Sequence, residues 1–245
     1  IWPVVGPQAE VVMSEGRATW NESVLLLVER HGYTEEAYFT FSYSPAPEDA
    51  GGVGGVFCAV TEDTARVLGE RRLKTLRDLG ERSLAEAKTV EQSCHAAAVT
   101  LAANPHDFPC ALIYLLDEDG KRARLCETVN LPAGTKASPW SVTIGSSDDV
   151  WNFSRVIETS ENQIVEDLKE RFGRLGGGLW SDDWTKRALA LPLATGRVPE
   201  LPAGFLVAGI SPRLSFDNDY RSFLDLAASE IASAISNARA YEGER

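Results

Sequence analysis

No stretch of the sequence approaches the roughly 20 consecutive apolar residues that a bilayer span requires, and no basic segment leads into an apolar one at its start. A soluble, cytoplasmic chain is therefore expected. Basic residues are in deficit, with 24 Lys and Arg against 36 Asp and Glu and a formal net charge of −12. Phosphate contacts need clustered Lys and Arg, so a general nucleic-acid or anionic-membrane surface is excluded. The four cysteines, Cys58, Cys94, Cys110 and Cys126, lack both the close pairing of a zinc site and the density of a disulfide scaffold. They read as free thiols, packed as small apolar groups. The three histidines, His31, His95 and His106, lie far apart with no H-E-x-x-H spacing, so no metal site is expected.

What is present is a globular composition. With 245 residues, 44% of them hydrophobic, the chain can build one large domain, or one ordinary domain and part of another. Residues 2–15 suit a short helix closed by Gly16. Segments 19–28 and 35–43 carry Trp20, Val24, Leu26, Val28, Tyr38, Phe39, Phe41 and Tyr43, types that favour strands. The proline- and glycine-rich segment 45–52 turns the chain into a third strand, 53–61, forming an antiparallel hairpin with the second. Thr61 is expected to cap the following helix, with Glu62 and Asp63 at the positive end of its dipole. That connector carries Leu68, Leu73, Leu76, Leu79 and Leu84 at helical spacing among Arg and Lys.

Thr89 and Gln92 form a second capping signal, opening a helix over 90–103. Segment 110–116 is apolar on both faces, as a central strand is, and Glu118-Asp119-Gly120 turns it into a strand over 123–131. A short helix over 151–159, a short strand over 163–168 and a loop over 174–183 follow. Strands are expected at 189–195 and 205–210, with Pro192 marking an edge or bulge. The last helix, 217–241, places Tyr220, Leu224, Ala227, Ile231, Ala234, Ala238 and Tyr241 at alternating spacings of four and three. That is the seam of a helix packed on another helix; Phe223 and Ile235 widen it toward the face of a helix lying on its own sheet.

These residues carry a resemblance. The closing segment DNDYRSFLDLAASEIASAISNARAYE, the pair ALALPLATG and GFLVAGISP, and the strand and turn ALIYLLDEDG resemble GAF domains over roughly 83–245. The resemblance implies an α+β fold: a central antiparallel sheet with terminal helices on one face and a ligand-sized pocket on the other. The segment FTFSYSPAPEDAGGVGGVFCAVTEDT resembles the second half of a PAS domain. PAS domains mostly end in an Asp-Ile/Val-Thr motif tying the last strand to the outgoing helix. The matching positions here are Ala59-Val60-Thr61, so the threonine is present and the aspartate is not. The implied organisation is a PAS-like hairpin over 1–63, a helical connector over 64–86 and a GAF-like domain over 87–245.

Motifs for chemistry are sparse. Gly51-Gly52-Val53-Gly54-Gly55 precedes a strand rather than a helix, the wrong context for a phosphate loop. No histidine lies in an H-E-x-R-like phosphoacceptor helix, and nucleotide-binding boxes are absent. Cys94-His95 matches the pair that anchors chromophores in bilin-binding GAF domains, but it lies on the opening helix, where a packed cysteine is the expectation. The asparagine-lysine-phenylalanine signature of cyclic-nucleotide GAF domains is absent. Trp140, Trp151, Trp180 and Trp184 fall where the resemblance places the pocket cover, and are candidates to grip a ligand or to close a core over the sheet.

The expected role is a non-catalytic input module of a signalling protein, a two-component histidine kinase, with no cofactor or metal assigned. A homodimer through the connector and last helix would pass the signal to an output domain. The relay candidates are Thr61, Leu73, Leu76, Tyr220, Leu224, Ala227, Ile231, Ala234 and Ala238. Two alternatives stand beside it: a redox enzyme of the methionine sulfoxide reductase kind using Cys110 and Cys126 on neighbouring strands, and a structural spacer.

Overall fold

The computed structural model describes residues 1–85, 89–175, 179–180, 183–194 and 201–243. The chain divides into two compact units, Ile1–Arg71 and Arg72–Arg245.

In the first unit, helix α1 (Trp2–Glu15) is closed by Gly16 at φ 64°, whose N–H bonds back to the Val12 carbonyl. Strands β1 (Thr19–Arg30), β2 (Tyr33–Pro47) and β3 (Val53–Glu62) form an antiparallel sheet in that order. Both strands of the first hairpin run further than composition suggests. A two-residue turn at His31 and Gly32, with φ of 56° and 83°, matches the twist of the flanking strands and lets the ladder continue to the turn. Strand β2 also continues through Pro45 and Pro47, which the sequence placed in a turn. β1 begins opposite Tyr43, so beyond that point β2 has a neighbour on one side only and the missing proline N–H breaks no ladder bond. The apolar core of this unit is small: Val12, Leu26, Ala37 and Phe41 are its buried hydrophobic side chains.

Helix α2 (Thr64–Ala85) starts in the first unit and continues past the division. Thr61 is not its cap. It is the ladder partner of Thr40 within β3, and Asp63 precedes the first helical residue and accepts from Val67 N at 3.0 Å.

The second unit opens with α3 (Val90–Ala102), capped as expected by Thr89, whose side chain accepts from Gln92 N at 3.2 Å. Its sheet comprises β4 (Ala111–Leu116), β5 (Arg122–Val129), β6 (Ser141–Thr143), β7 (Gln163–Val165), β8 (Ala188–Leu193) and β9 (Gly204–Gly209). Their order is β6-β5-β4-β9-β8-β7, antiparallel throughout. Strands β4 and β9, at the centre, are buried at every residue, which explains their unbroken apolar sequences. Pro192 lies in β8 opposite Phe205, beyond the reach of the three-residue β7; it is on a locally open edge, as its ring requires.

Helices α3 and α6 (Asn218–Gly243) cover one face of the sheet. The other face carries α4 (Phe153–Thr159), α5 (Leu168–Phe172) and a hydrophobic cluster that includes Tyr114, Leu125, Trp151, Phe153 and Phe205. Strand β6 and helix α5 were invisible in the sequence because three and five residues are too few to show a period.

Candidate functional site

The face opposite the terminal helices is occupied by aromatic side chains. Phe153 enters from α4 and stacks on Phe205 of β9, with centroids 4.2 Å apart and planes 7° apart. Tyr114 of β4 meets Phe153 edge-on at 5.3 Å and donates its hydroxyl to the Pro139 carbonyl at 2.9 Å. Trp151 packs on Phe172 at 5.0 Å and donates Nε1 to the Ala137 carbonyl at 2.9 Å. Both polar tips are thereby satisfied on burial, the condition under which Tyr and Trp enter a core. Burial raises the Tyr114 phenol above its usual range. Asp149 fixes the start of α4: its carboxylate accepts from Phe153 N at 2.7 Å and Ser154 N at 2.8 Å. It thereby takes over the capping role from Asn152, which adopts a left-handed conformation and makes no side-chain cap.

The four tryptophans have four different surroundings. Trp151 is part of the buried cluster. Trp140 is exposed at 66% and lies on a groove lined by Asp117, Arg122 and Arg124. Trp184 has the Lys169 ammonium 5.3 Å and the Arg174 guanidinium 4.7 Å from its ring centre. Trp180 is half-buried. His106 lies edge-on to it at 5.9 Å, the Arg213 guanidinium sits 5.4 Å away, and its Nε1 has no hydrogen-bond partner among the described residues. Asp183 pairs with Arg213 at 3.5 Å, whereas Asp182 and the three consecutive glycines Gly176, Gly177 and Gly178 of the 174–183 loop lie outside the described residues. Among the described residues, no group of His, Cys, Asp and Glu is placed to hold a metal ion.

Cys110 and Cys126 do not face one another. Cys110 precedes Ala111, the partner of Val129, and is fully buried beside Thr185 and Gly209, where burial pushes its thiol up to about 11. A Cβ added to Gly209 would come within 2.6 Å of the Cys110 sulfur and 3.1 Å of its carbonyl oxygen. Cys126 lies further along the sheet, at a bulge. Ile113 pairs with Glu127 and Tyr114 with Leu125, leaving Cys126 without a ladder partner. Neighbouring strands were a sound guess; the offset of the two cysteines along them is what separates the pair.

The strand-to-helix junction carries a polar network in the three residues that follow Thr61. Arg30 donates to both oxygens of Glu62, at 2.9 and 2.6 Å, and also bonds Glu35. Thr64 Oγ1 accepts from Tyr38 N at 3.0 Å, and Asp63 accepts from Thr40 and from Ser23, the latter at 3.3 Å. The tie is thus made by Glu62, Asp63 and Thr64. Deeper along α2, Arg71 donates to Glu36 at 2.6 Å and Arg72 to Asp107 at 2.9 Å; both carboxylates have no exposed side-chain surface. The Arg72 guanidinium also lies 4.7 Å from the Tyr220 ring centre and 5.6 Å from that of Phe223. These arginines were missed because a charge run on a helix reads as a solvated face.

On α6, Tyr220, Leu224, Ala227, Ile231, Ala234 and Ala238 are buried against α3 and strands β8 and β9. The heptad-like spacing therefore serves packing within one copy, on a helix and a sheet together. On α2, Leu73 is exposed and Leu76 half-buried.

No protein-family model matches the sequence, and the search of curated proteins gives no match. Solved structures do match. The GAF domain of a phosphoenolpyruvate-protein phosphotransferase from Coxiella burnetii is similar with a TM-score of 0.51 at 22% identity, over 72% of this chain and 98% of that one. A putative GAF sensor protein from Burkholderia vietnamiensis gives 0.50 at 14% identity, over 69% of this chain and 91% of that one. The sheet order, the terminal helices on one face and these likenesses together define the second unit as having the GAF fold.

Proposed function

We propose that the chain is a sensory or regulatory input module of a signal-transduction protein, with 1–63 a PAS-like C-terminal part, 64–86 a connector and 87–245 a GAF-like domain. Its output is a histidine-kinase domain of a two-component system, and the module itself is not catalytic. The observation that carries this reading is the pair Arg71 and Arg72. Consecutive residues of one helix are each held by a fully buried carboxylate, Glu36 in the first unit and Asp107 in the second. Breaking a buried pair leaves an uncompensated charge and costs several kcal/mol, so a change that displaces Glu36 is transmitted to the helix rather than absorbed. The Burkholderia vietnamiensis protein of like fold is itself described as a putative sensor.

Homodimerisation supplies the second arrangement that a relay needs. Since the α6 seam is buried, the contacts fall on side chains that remain exposed, Leu73, Val99, Leu226 and Tyr241. A small-molecule ligand would either displace the Phe153 stack or use Trp180 and Trp184. Hydrogen exchange tests the relay: Glu36→Gln, with light scattering to follow mass, should speed amide exchange in both α2 and α6. Exchange altered only within the three-stranded sheet would refute it and favour a spacer.

A further inference from the structure

We propose that Cys94 and Cys126 are a redox pair that closes to an intramolecular disulfide when Cys126 is oxidised by a hydroperoxide.

Helix α3 and strand β5 are held side by side by two polar contacts that bracket the cysteines. Ahead of them, Glu91 of α3 pairs with Arg124 of β5 at 3.6 Å. Beyond them, His95 Nδ1 lies 3.0 Å from Glu127 Oε1. Between these two rungs Cys94 of α3 lies beside Cys126 of β5, near enough for each thiol to perturb the other's titration. The bulge contributes directly. As the residue without a ladder partner between Leu125 and Glu127, Cys126 is re-aimed by the local kink, which is what a bulge does to a side chain.

The two sulfurs differ in the way such a pair requires. Cys94 is fully buried and Cys126 is partly exposed, so an oxidant in solvent reaches Cys126. The neighbouring Cys94 thiol, with Arg124 nearby, lowers the Cys126 thiol below its usual value, while Cys126 and burial raise that of Cys94. The charged groups facing the pair are Arg124, which favours the thiolate, and Glu91 and Glu127, which oppose it; His95 contacts Glu127.

The chemistry balances with a hydroperoxide as oxidant. The Cys126 thiolate attacks the terminal peroxide oxygen, the O–O bond breaks and the alkoxide or hydroxide leaves, giving a sulfenic acid. The Cys94 sulfur then attacks the Cys126 sulfur. The S–O bond breaks, and the oxygen departs as water with the Cys94 proton. Two thiols are oxidised by two electrons, and one peroxide is reduced to two molecules of water, or to water and an alcohol.

The test uses the whole chain carrying Cys58→Ser, which removes the exposed thiol. Treatment with dilute hydrogen peroxide, followed by denaturing alkylation, should leave two cysteines blocked. The intact mass should be lower by about 2 Da before alkylation, the two hydrogens lost, and digestion should yield a reducible crosslink between the peptides of Cys94 and Cys126. Cys94→Ser should leave a dimedone-reactive sulfenic acid on Cys126. Cys126→Ser, at a half-exposed position, keeps the test readable where the buried substitution does not fold; it should leave Cys94 fully alkylatable. A Cys126 oxidised to sulfinic acid with Cys94 still free would overturn the proposal. So would both thiols remaining alkylatable in the parent after peroxide.

Discussion

Replacing Phe153 with alanine should cost the second unit about 4 kcal/mol, within the range for buried Phe→Ala changes. The ring is fully buried, so its removal forfeits roughly 2 kcal/mol of transfer free energy. It also leaves a void of about 100 Å³, which at about 24 cal/mol per Å³ adds about 2.4 kcal/mol. The void cannot collapse readily. Phe205 beneath it belongs to a strand paired on both sides, and α4 above it is pinned by the Asp149 carboxylate. For a domain of this size the loss corresponds to about 8–16 °C in Tm, at 2–4 °C per kcal/mol. Thermal unfolding followed by tryptophan fluorescence reads it, since Trp151 lies in the same cluster. A small aromatic such as indole, titrated into the variant, should recover part of the midpoint by occupying the vacated space. A loss below about 1 kcal/mol, or no response to indole, would mean that the aromatic layer does not fill this face of the sheet.

Two further predictions concern the helix and the small sheet. Arg72→Ala removes the guanidinium that neutralises buried Asp107, leaving the Asn104 amide bond in place, and should destabilise the second unit by about 3 kcal/mol in urea titration; an unchanged midpoint would dismiss the anchor. The first unit should weaken at both extremes of pH. Arg30, and secondarily Thr64, hold the Glu62 carboxyl down at about 2 from 4.5, so its contribution is complete above the unfolded value and is lost as pH falls from about 4.5 through 2. With Glu62 partly exposed, that contribution is modest. Burial, and then the Glu36 charge, push the Tyr38 phenol up to about 12 from 10, so stability is full below 10 and is lost as pH rises through 12. Circular dichroism across both windows checks the sign, and Glu62→Gln should remove the acid limb.

Much of the second unit was legible because local and tertiary signals agree there. The Thr89 cap, the Gly120 turn and the unbroken apolar runs of β4 and β9 each name an element whose burial the fold then requires. Thr61 illustrates the opposite case. A threonine before a helical pattern is a good cap on its own, but the ladder with β2 runs one residue further, and Asp63 takes the position. The site was harder to read. Trp140 and Trp151 are the same residue type eleven positions apart, yet one is in solvent and the other in the core, a difference made by the loop between β6 and α4. Phe153, which fills the face, carries no composition signal at all. The offset of Cys110 from Cys126 was hidden too, since a count along two ideal strands does not contain the extra residue of the bulge.

The contact between Cys110 and Gly209 bears on how this sequence can drift. The sulfur and carbonyl of Cys110 occupy the space that a side chain at 209 would need, so the volume of residue 110 limits what position 209 can hold. Position 209 can grow only where position 110 shrinks, and the backbone oxygen sets a limit even then. The two positions should covary as a size-compensated pair among descendants of this chain, with alanine or serine tolerated at 110 and larger residues excluded.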